Sequence, residues 1–294
     1  MSGSAGLRIS AFGDEIAAGL EDQLATLSEC GVAGLELRAA WGVNVAEMGL
    51  DELSRAERLL RESRIAVSAI GSPIGKVPID SSFEAELERF GRVLGAAERL
   101  GTPLVRVFSF FIPDGRYEEH RDEVLRRMAR LAGEAEQAGF TLVHENESYI
   151  YGDTPERCAD LLQSVASPAL RAAFDPANFV QVGARPLADA WHGLEPFVAH
   201  FHVKDAVPVD RSGLPPYPAR VPEEKLMDSV RLPGQGAGDL AALLERLRAR
   251  DYQGWLTIEP HLRRRLPDLD GPARFRASLE ALTALLSQTG VRRS

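Results

Sequence analysis

Four apolar runs in this chain end in a carboxylate or an imidazole, and nothing else constrains its fold as strongly. They are Phe140-Thr141-Leu142-Val143-His144-Glu145-Asn146-Glu147, Ala172-Ala173-Phe174-Asp175, His200-Phe201-His202-Val203-Lys204-Asp205 and Leu256-Thr257-Ile258-Glu259-Pro260-His261. Each reads as a short buried strand whose C-terminal end carries acid or imidazole. Burying a carboxylate is costly unless positive charge or hydrogen bonds compensate. Four such ends in one chain predict a single shared site that holds a metal cation.

The remaining segments alternate between strand-like and helical patterns. Leu7–Phe12 leads into Gly13-Asp14-Glu15 and a helix with Leu20, Leu24 and Leu27 on one face, closed at Cys30-Gly31. Val32–Arg38 ends in Glu36-Leu37-Arg38, with a helix near Asp51–Ser63. Ile65–Ile70 then opens into a Gly-Ser-Pro loop that carries Lys76. Phe83, Leu87, Phe90, Leu94, Ala97 and Leu100 advance by steps of four and three until Gly101 stops them. Pro103–Phe108 is a fourth strand, and Tyr117–Ala138 a long helix stopped by Gly139. Thr154-Pro155 starts a helix as cap and first-turn proline. Leu170–Phe174 and Phe197–Val203 are strands, with a short helix near Pro186–Trp191 between them. Residues 206–235 contain six prolines and read as having no secondary structure, which predicts a lid, a binding loop or a partner surface. A helix near Asp239–Arg248, the strand Gly254–Ile258 and a helix around Arg274–Leu286 complete eight strand–helix units. One α/β domain over residues 6–290, a single (β/α)8 TIM barrel, accounts for this pattern, with residues 1–5 a flexible N-terminus. A doubly wound open sheet is the alternative, but it would not bring four strand ends to one point.

Composition narrows the partners. The net charge of −9 argues against nucleic acid and against an anionic membrane surface. Cys30 and Cys158 lie inside helical patterns as small apolar residues, with neither metal spacing nor a disulfide framework. Met1-Ser2-Gly3-Ser4-Ala5 lacks the regions of a signal peptide, and no run of apolar residues is long enough to span a bilayer. A cytoplasmic protein is expected.

In a barrel, residues at the C-terminal strand ends gather at one face. Alternation places His202 on the side of Val198, His200 and Lys204, opposite the bulky Phe201 and Val203, and so into the mouth. By the same parity Glu145 goes with Val143, Asp175 with Ala173 and Glu259 with Thr257, while His144 faces the helices in a structural role. His200 is expected as a core or supporting histidine. Residues 145, 175 and 202 are each about one unit apart, and 259 follows after one unit plus the long loop. Three carboxylates and an imidazole suit one Mn²⁺, Mg²⁺ or Co²⁺, with Zn²⁺ also possible.

These residues carry a resemblance. With Asp14-Glu15, Gly34-Leu35-Glu36-Leu37-Arg38, His144-Glu145-Asn146-Glu147, Phe174-Asp175-Pro176-Ala177-Asn178-Phe179, His202-Val203-Lys204-Asp205 and Glu259-Pro260-His261, nearly the whole chain resembles the sugar phosphate isomerase/epimerase family of xylose-isomerase-like TIM barrels. The resemblance implies a divalent metal on Glu145, Asp175, His202 and Glu259, Mn²⁺ first among the candidates. It also implies acid and base roles for Glu145 and Glu259, and a homodimer or homotetramer. Asn178 stands where the ketose epimerases of the family carry a histidine, a departure from that subgroup.

Such a site polarises a carbonyl and acidifies the neighbouring C–H, so that a carboxylate can remove the proton and leave a metal-stabilised enediolate. Returning the proton to the opposite face epimerises the carbon, and returning it to the next carbon isomerises the sugar. Glu36, Arg38, Lys76, Arg106, Glu147, Asn178, Lys204 and His261 are expected substrate contacts, although Glu36 with Arg38, and Lys204 with Asp205, also read as structural ion pairs. Gly234-Gln235-Gly236 sits where barrels often hold phosphate, but Asp239 would repel one, so an unphosphorylated sugar or polyol is expected. The main alternative is a lyase or dehydratase on a keto-sugar or inosose, including cleavage of a 3-keto-glycoside. A DNA-repair endonuclease would need more than six histidines and a basic groove. A non-enzymatic barrel that docks a partner through its proline-rich loop is the remaining reading.

Overall fold

A computed structural model describes residues 7–290; the expected flexible N-terminus, residues 1–5, lies outside them. Eight parallel strands close into a barrel: β1 (Arg8–Phe12), β2 (Gly34–Leu37), β3 (Ala66–Ile70), β4 (Leu104–Val107), β5 (Thr141–Glu145), β6 (Leu170–Phe174), β7 (Val198–Val203) and β8 (Trp255–Ile258). They pair in sequence order, and β8 closes the ring on β1 through Ser10↔Thr257 and Ala11↔Ile258. The strands are short and buried on both faces, as expected where helices cover a parallel sheet.

Helices α1 (Leu20–Glu29), α2 (Leu50–Ser63), α3 (Phe83–Leu100), α4 (Tyr117–Gln137) and α5 (Pro155–Val165) follow the first five strands, each with a buried apolar stripe. In α3, Ser82 accepts a hydrogen bond from the Ala85 N–H (3.3 Å), and Gly101 takes the left-handed cap that a Cβ would strain. Phe90, fully buried on that stripe, contributes roughly 1.5–3 kcal/mol. Helices α8 (Leu240–Ala249) and α9 (Gly271–Gln288) flank β8.

Two expectations change here. Residues 206–235 are not without structure: they hold the helix α7 (Glu223–Ser229), and Val230–Arg231 pairs antiparallel with Asp205–Ala206. Directly after β6, Asp175 caps a short helix α6 (Pro176–Gln181) by accepting from the Asn178 N–H (3.0 Å). Both were hidden because their segments are too short for periodicity to register. Near Pro186–Trp191 the expected turn of helix is wound as a π-helix.

Two irregularities position the site. On β7 the register passes from Ala172↔Val198 to Ala173↔His200, and between β2 and β3 it passes from Leu35↔Val67 to Glu36↔Ala69. Each skips one residue, as a bulge does, and bulges re-aim side chains next to sites. The residues passed over are Ala199 on β7, next to His200, and Ser68 on β3.

Candidate metal centre at the barrel mouth

Glu145 ends β5, Asp175 and Glu259 directly follow β6 and β8, and His202 lies in the last turn of β7 before the mouth. One ligand atom from each lies within 4.8 Å of the others, and all four residues are buried. His202 Nδ1 is 3.4 Å from Glu145 Oε1 and 3.8 Å from Asp175 Oδ2. Neither ring nitrogen of His202, nor Asp175 Oδ2, has a hydrogen-bond partner. Buried polar atoms left in this state are rare, and here two of them, His202 Nδ1 and Asp175 Oδ2, face one another. The donor set and the unpaired atoms fit a divalent cation.

Around this core the charges are arranged in two groups. Glu145 Oε2 accepts from Arg106 Nη1 (3.1 Å) and its Oε1 from Asn178 Nδ2 (3.1 Å). Glu259 Oε1 accepts from Arg38 Nη1 (2.8 Å) and lies 3.1 Å from His261 Nε2, while its Oε2 accepts from Lys204 Nζ (3.1 Å). Burial works to raise the Glu145 carboxyl, but His202 and Arg106 outweigh it and hold it at about 2. For Glu259 burial is likewise outweighed, by Lys204, His261 and Arg38, and the carboxyl stays well below its ordinary range. Burial would lower His202, yet Glu145 and Glu36 push it well up. Both carboxylates are thus kept ionised, and the negative charge crowded on His202 is what a cation would neutralise.

The predicted substrate contacts separate into three places. Arg38, Lys204, Asn178, Arg106 and His261 all touch Glu145 or Glu259 directly. Lys76 and Glu147 pair with each other at the rim (2.8 Å), where Lys76 is 41% exposed. Glu36 stands apart from the others: it has no exposed surface and lies below His202, where its Oε2 is 2.6 Å from His200 Nε2. Its carboxylate is turned to the two histidines of β7. Nor does it pair with Arg38, which instead donates to Asp14 (2.7 Å) and Glu15 (2.9 Å). Glu36, His200 and His202 also cluster closely enough to suggest a second cation, but the 2.6 Å Glu36–His200 contact is already a hydrogen bond and leaves no gap for one.

The glycine loop has a different occupant from the one barrels often place there. The N–H groups of Gly234 and Gly236 donate to Asp205 Oδ2 (2.8 and 2.9 Å), and those of Gly238 and Ala206 donate to Oδ1 (both 2.9 Å). This internal carboxylate fills the concavity that a phosphate would take. Asp205 is therefore not paired with Lys204, whose ammonium goes to Asn178 (2.9 Å), Glu259 and Asp175 (3.4 Å). His144, on the helix side, lies 2.9 Å from Ser109 Oγ, and Gly152 packs so close that a Cβ would meet its ring at 2.5 Å.

Several contributors were not singled out from sequence. Asn146 clamps Asp175 by donating to its carbonyl (2.9 Å) and accepting from its N–H (3.0 Å). Phe12 packs edge-on to His202 at 5.3 Å, with Arg38 over the ring at 4.6 Å. Asp14 and Glu15 follow β1 as Asp175 and Glu259 follow β6 and β8, so the same strand-to-acid signal marks them. Nothing local marks Phe12.

A closed eight-stranded barrel with three carboxylates and one imidazole converging at its C-terminal mouth defines the class: a TIM barrel with a candidate metal centre at its mouth. The chain belongs to the xylose isomerase-like TIM barrel family, whose model matches residues 24–285. No curated protein sequence matches it. Among solved structures it is similar to the probable 3-DHS dehydratase AsbF from Bacillus anthracis (17% identity, 94% of this chain and 99% of that one, TM-score 0.75). It is also similar to the IOLI protein with a bound zinc atom (16%, 96% and 99%, TM-score 0.74) and to 3-keto-D-glucoside 4-epimerase YcjR from E. coli (17%, 96% and 99%, TM-score 0.68). At these identities the likeness is one of fold. Among the described residues no helix is long and apolar enough to cross a membrane.

Proposed function

We propose that this protein is a divalent-metal-dependent isomerase or epimerase that removes a proton next to the carbonyl of an unphosphorylated sugar or polyol. The observation that carries this reading is the convergence of Glu145, Asp175, His202 and Glu259 within 4.8 Å, with Asp175 Oδ2 and His202 Nδ1 making no hydrogen bond. These four residues would hold one cation, Mn²⁺ first among Mn²⁺, Mg²⁺, Co²⁺ and Zn²⁺, and when bound it supplies Lewis-acid polarisation of the substrate carbonyl.

Glu145 and Glu259 reach the mouth from β5 and β8, which are not neighbours in the barrel. One accepts the proton and the other returns it, so the two strands would address different faces of the substrate carbon. Both carboxylates stay ionised at neutral pH through the cations around them, as a proton acceptor requires. The Lys204 ammonium, fixed between Asn178 and Glu259, is placed to stabilise negative charge that develops on a substrate oxygen. Arg38 and His261, 20% and 24% exposed, would contact hydroxyls at the mouth. Asp205 in the glycine nest supports a substrate without phosphate.

The lyase or dehydratase reading shares the first step and departs only in what leaves the neighbouring carbon. His261, hydrogen-bonded to Glu259 and partly exposed, favours it as a donor to a departing oxygen.

Elemental analysis of purified protein beside His202→Ala tests the central reading. About one Mn, Mg, Co or Zn per chain, lost in the variant, supports it. Protein that stays empty after all four metals are offered would overturn it. Solvent deuterium incorporated into an unchanged sugar skeleton selects isomerase or epimerase, and release of water or an alcohol selects lyase.

A further inference from the structure

Beside the mouth lies a cavity of about 590 Å³ that the metal centre does not use. Its walls are Ile112 after β4, Tyr117 at the start of α4, Tyr149 after β5, and Tyr217, Pro218 and Arg220 from the proline-rich segment. That segment is seated rather than loose. Tyr217 donates its hydroxyl to Asp153, Tyr149 Oη accepts from the Val221 N–H (3.0 Å), and the Tyr149 and Tyr217 rings stack at 5.8 Å. Gly115 lies against Pro218 so closely that a Cβ would meet its ring at 2.5 Å.

Four features of the cavity point to a ligand. Its volume falls within the range of small-molecule sites, roughly 300–1,000 Å³. Its lining is rich in rings, with Tyr117, Tyr149 and Tyr217 beside Pro215, Pro216 and Pro218. The Arg220 guanidinium lies over the Tyr149 ring at 4.7 Å and the Phe111 ring at 5.3 Å, and it has no ion pair or hydrogen bond among the described residues. Tyr149 holds a left-handed backbone (φ 72°), a conformation that bulky residues seldom keep without tertiary support and that clusters at ligand sites. The cavity is also near the chemistry: Tyr149 is four residues beyond Glu145, so their Cα atoms are at most about 14 Å apart.

We infer that this cavity is a subsite for a planar aromatic substituent of the substrate, which makes the substrate an aryl glycoside whose sugar ring carries a ketone, the carbonyl that the proposed function requires, rather than a free monosaccharide. The sugar occupies the mouth, as the proposed function requires, and the aryl group lies among Tyr149, Tyr217 and Pro218 with an acceptor or anionic oxygen toward Arg220. An uncharged methyl glycoside leaves the subsite empty.

Calorimetric titration with p-nitrophenyl β-D-glucopyranoside and methyl β-D-glucopyranoside, which lack the ring ketone and therefore bind without turnover, tests this on metal-loaded protein and again in EDTA. The aryl glycoside should bind at least tenfold more tightly than the methyl one in both conditions. That preference should fall at least fivefold in Arg220→Ala, whose side chain is exposed, and in Ala219→Trp, which fills the cavity. Using EDTA separates the two readings: an aryl preference that persists without metal stands even if the metal-centre proposal fails. Equal affinity for the two glycosides, absence of binding by both, or an undiminished preference in both variants overturns the subsite.

Discussion

His202 turns one ring nitrogen to the mouth and the other to Glu36: Nε2 lies 3.4 Å from Glu36 Oε2, while Nδ1 faces Glu145 and Asp175. A proton on Nε2 directed at Glu36 leaves the Nδ1 lone pair free for a cation. His200, Thr257 and Ser10 continue the chain below, with Thr257 Oγ1 3.0 Å from His200 Nε2 and 2.6 Å from Ser10 Oγ. Glu36→Gln keeps the shape and removes the charge. We expect metal affinity to fall about 10–100-fold with the fold intact, read by Co²⁺ titration and circular dichroism. Unchanged affinity would assign Glu36 to packing alone.

Replacing either proposed acid–base group should remove turnover without unfolding the chain. Glu145→Gln and Glu259→Gln are each expected to lower kcat by about 10²–10⁴. In both variants the neighbouring cations keep an amide oxygen to bond. Activity like that of the wild type in either variant would sink the acid–base assignment.

Cation binding should stabilise the folded chain, because the four ligands converge only in the barrel. At 100 times its Kd, added metal contributes about 2.7 kcal/mol. Melting curves in EDTA and in excess Mn²⁺ should therefore differ by several degrees, and His202→Ala should abolish the difference.

His144 makes stability fall in acid. Burial holds its imidazole at about 4, below the ordinary 6.5, despite the nearby charge of Glu145. Between those values the unfolded chain binds the proton and the folded chain does not. The stability present above pH 6.5 is therefore lost as the pH falls toward 4, by up to roughly 3 kcal/mol. Urea unfolding in EDTA at pH 7.5 and 4.5, for wild type and His144→Gln, checks this: the wild type should lose more stability than the variant. Parallel losses would refute it.

The glycine nest admits little change. A Cβ at Gly236 would meet Asp205 Oδ1 at 2.2 Å and the Ala206 carbonyl at 2.5 Å. The carbonyl is backbone and cannot swing away. Gly236→Ala should therefore destabilise by about 1–3 kcal/mol, visible as a lower urea midpoint at unchanged slope.

Sequence by itself determined the eight strand–helix units, the acids and histidine that end four of them, and the side of those four strands that faces the mouth. These are properties of short stretches, because alternation and helical period are local and a barrel gathers strand ends whatever its details. Tertiary structure alone decided what each charge touches. Glu36 belongs to His200 and His202 because barrel closure turns β2 and β7, which are not neighbours, toward one interior. Arg38 reaches Glu259 because β8 closes beside β1, and β1 beside β2. Asp205 fills the glycine nest because its pairing with Arg231 returns the chain to it. Tyr217 finds Asp153 across a loop with no period of its own. Such contacts join residues distant in sequence, and they depend on strand neighbours, register and loop closure, which no local pattern encodes.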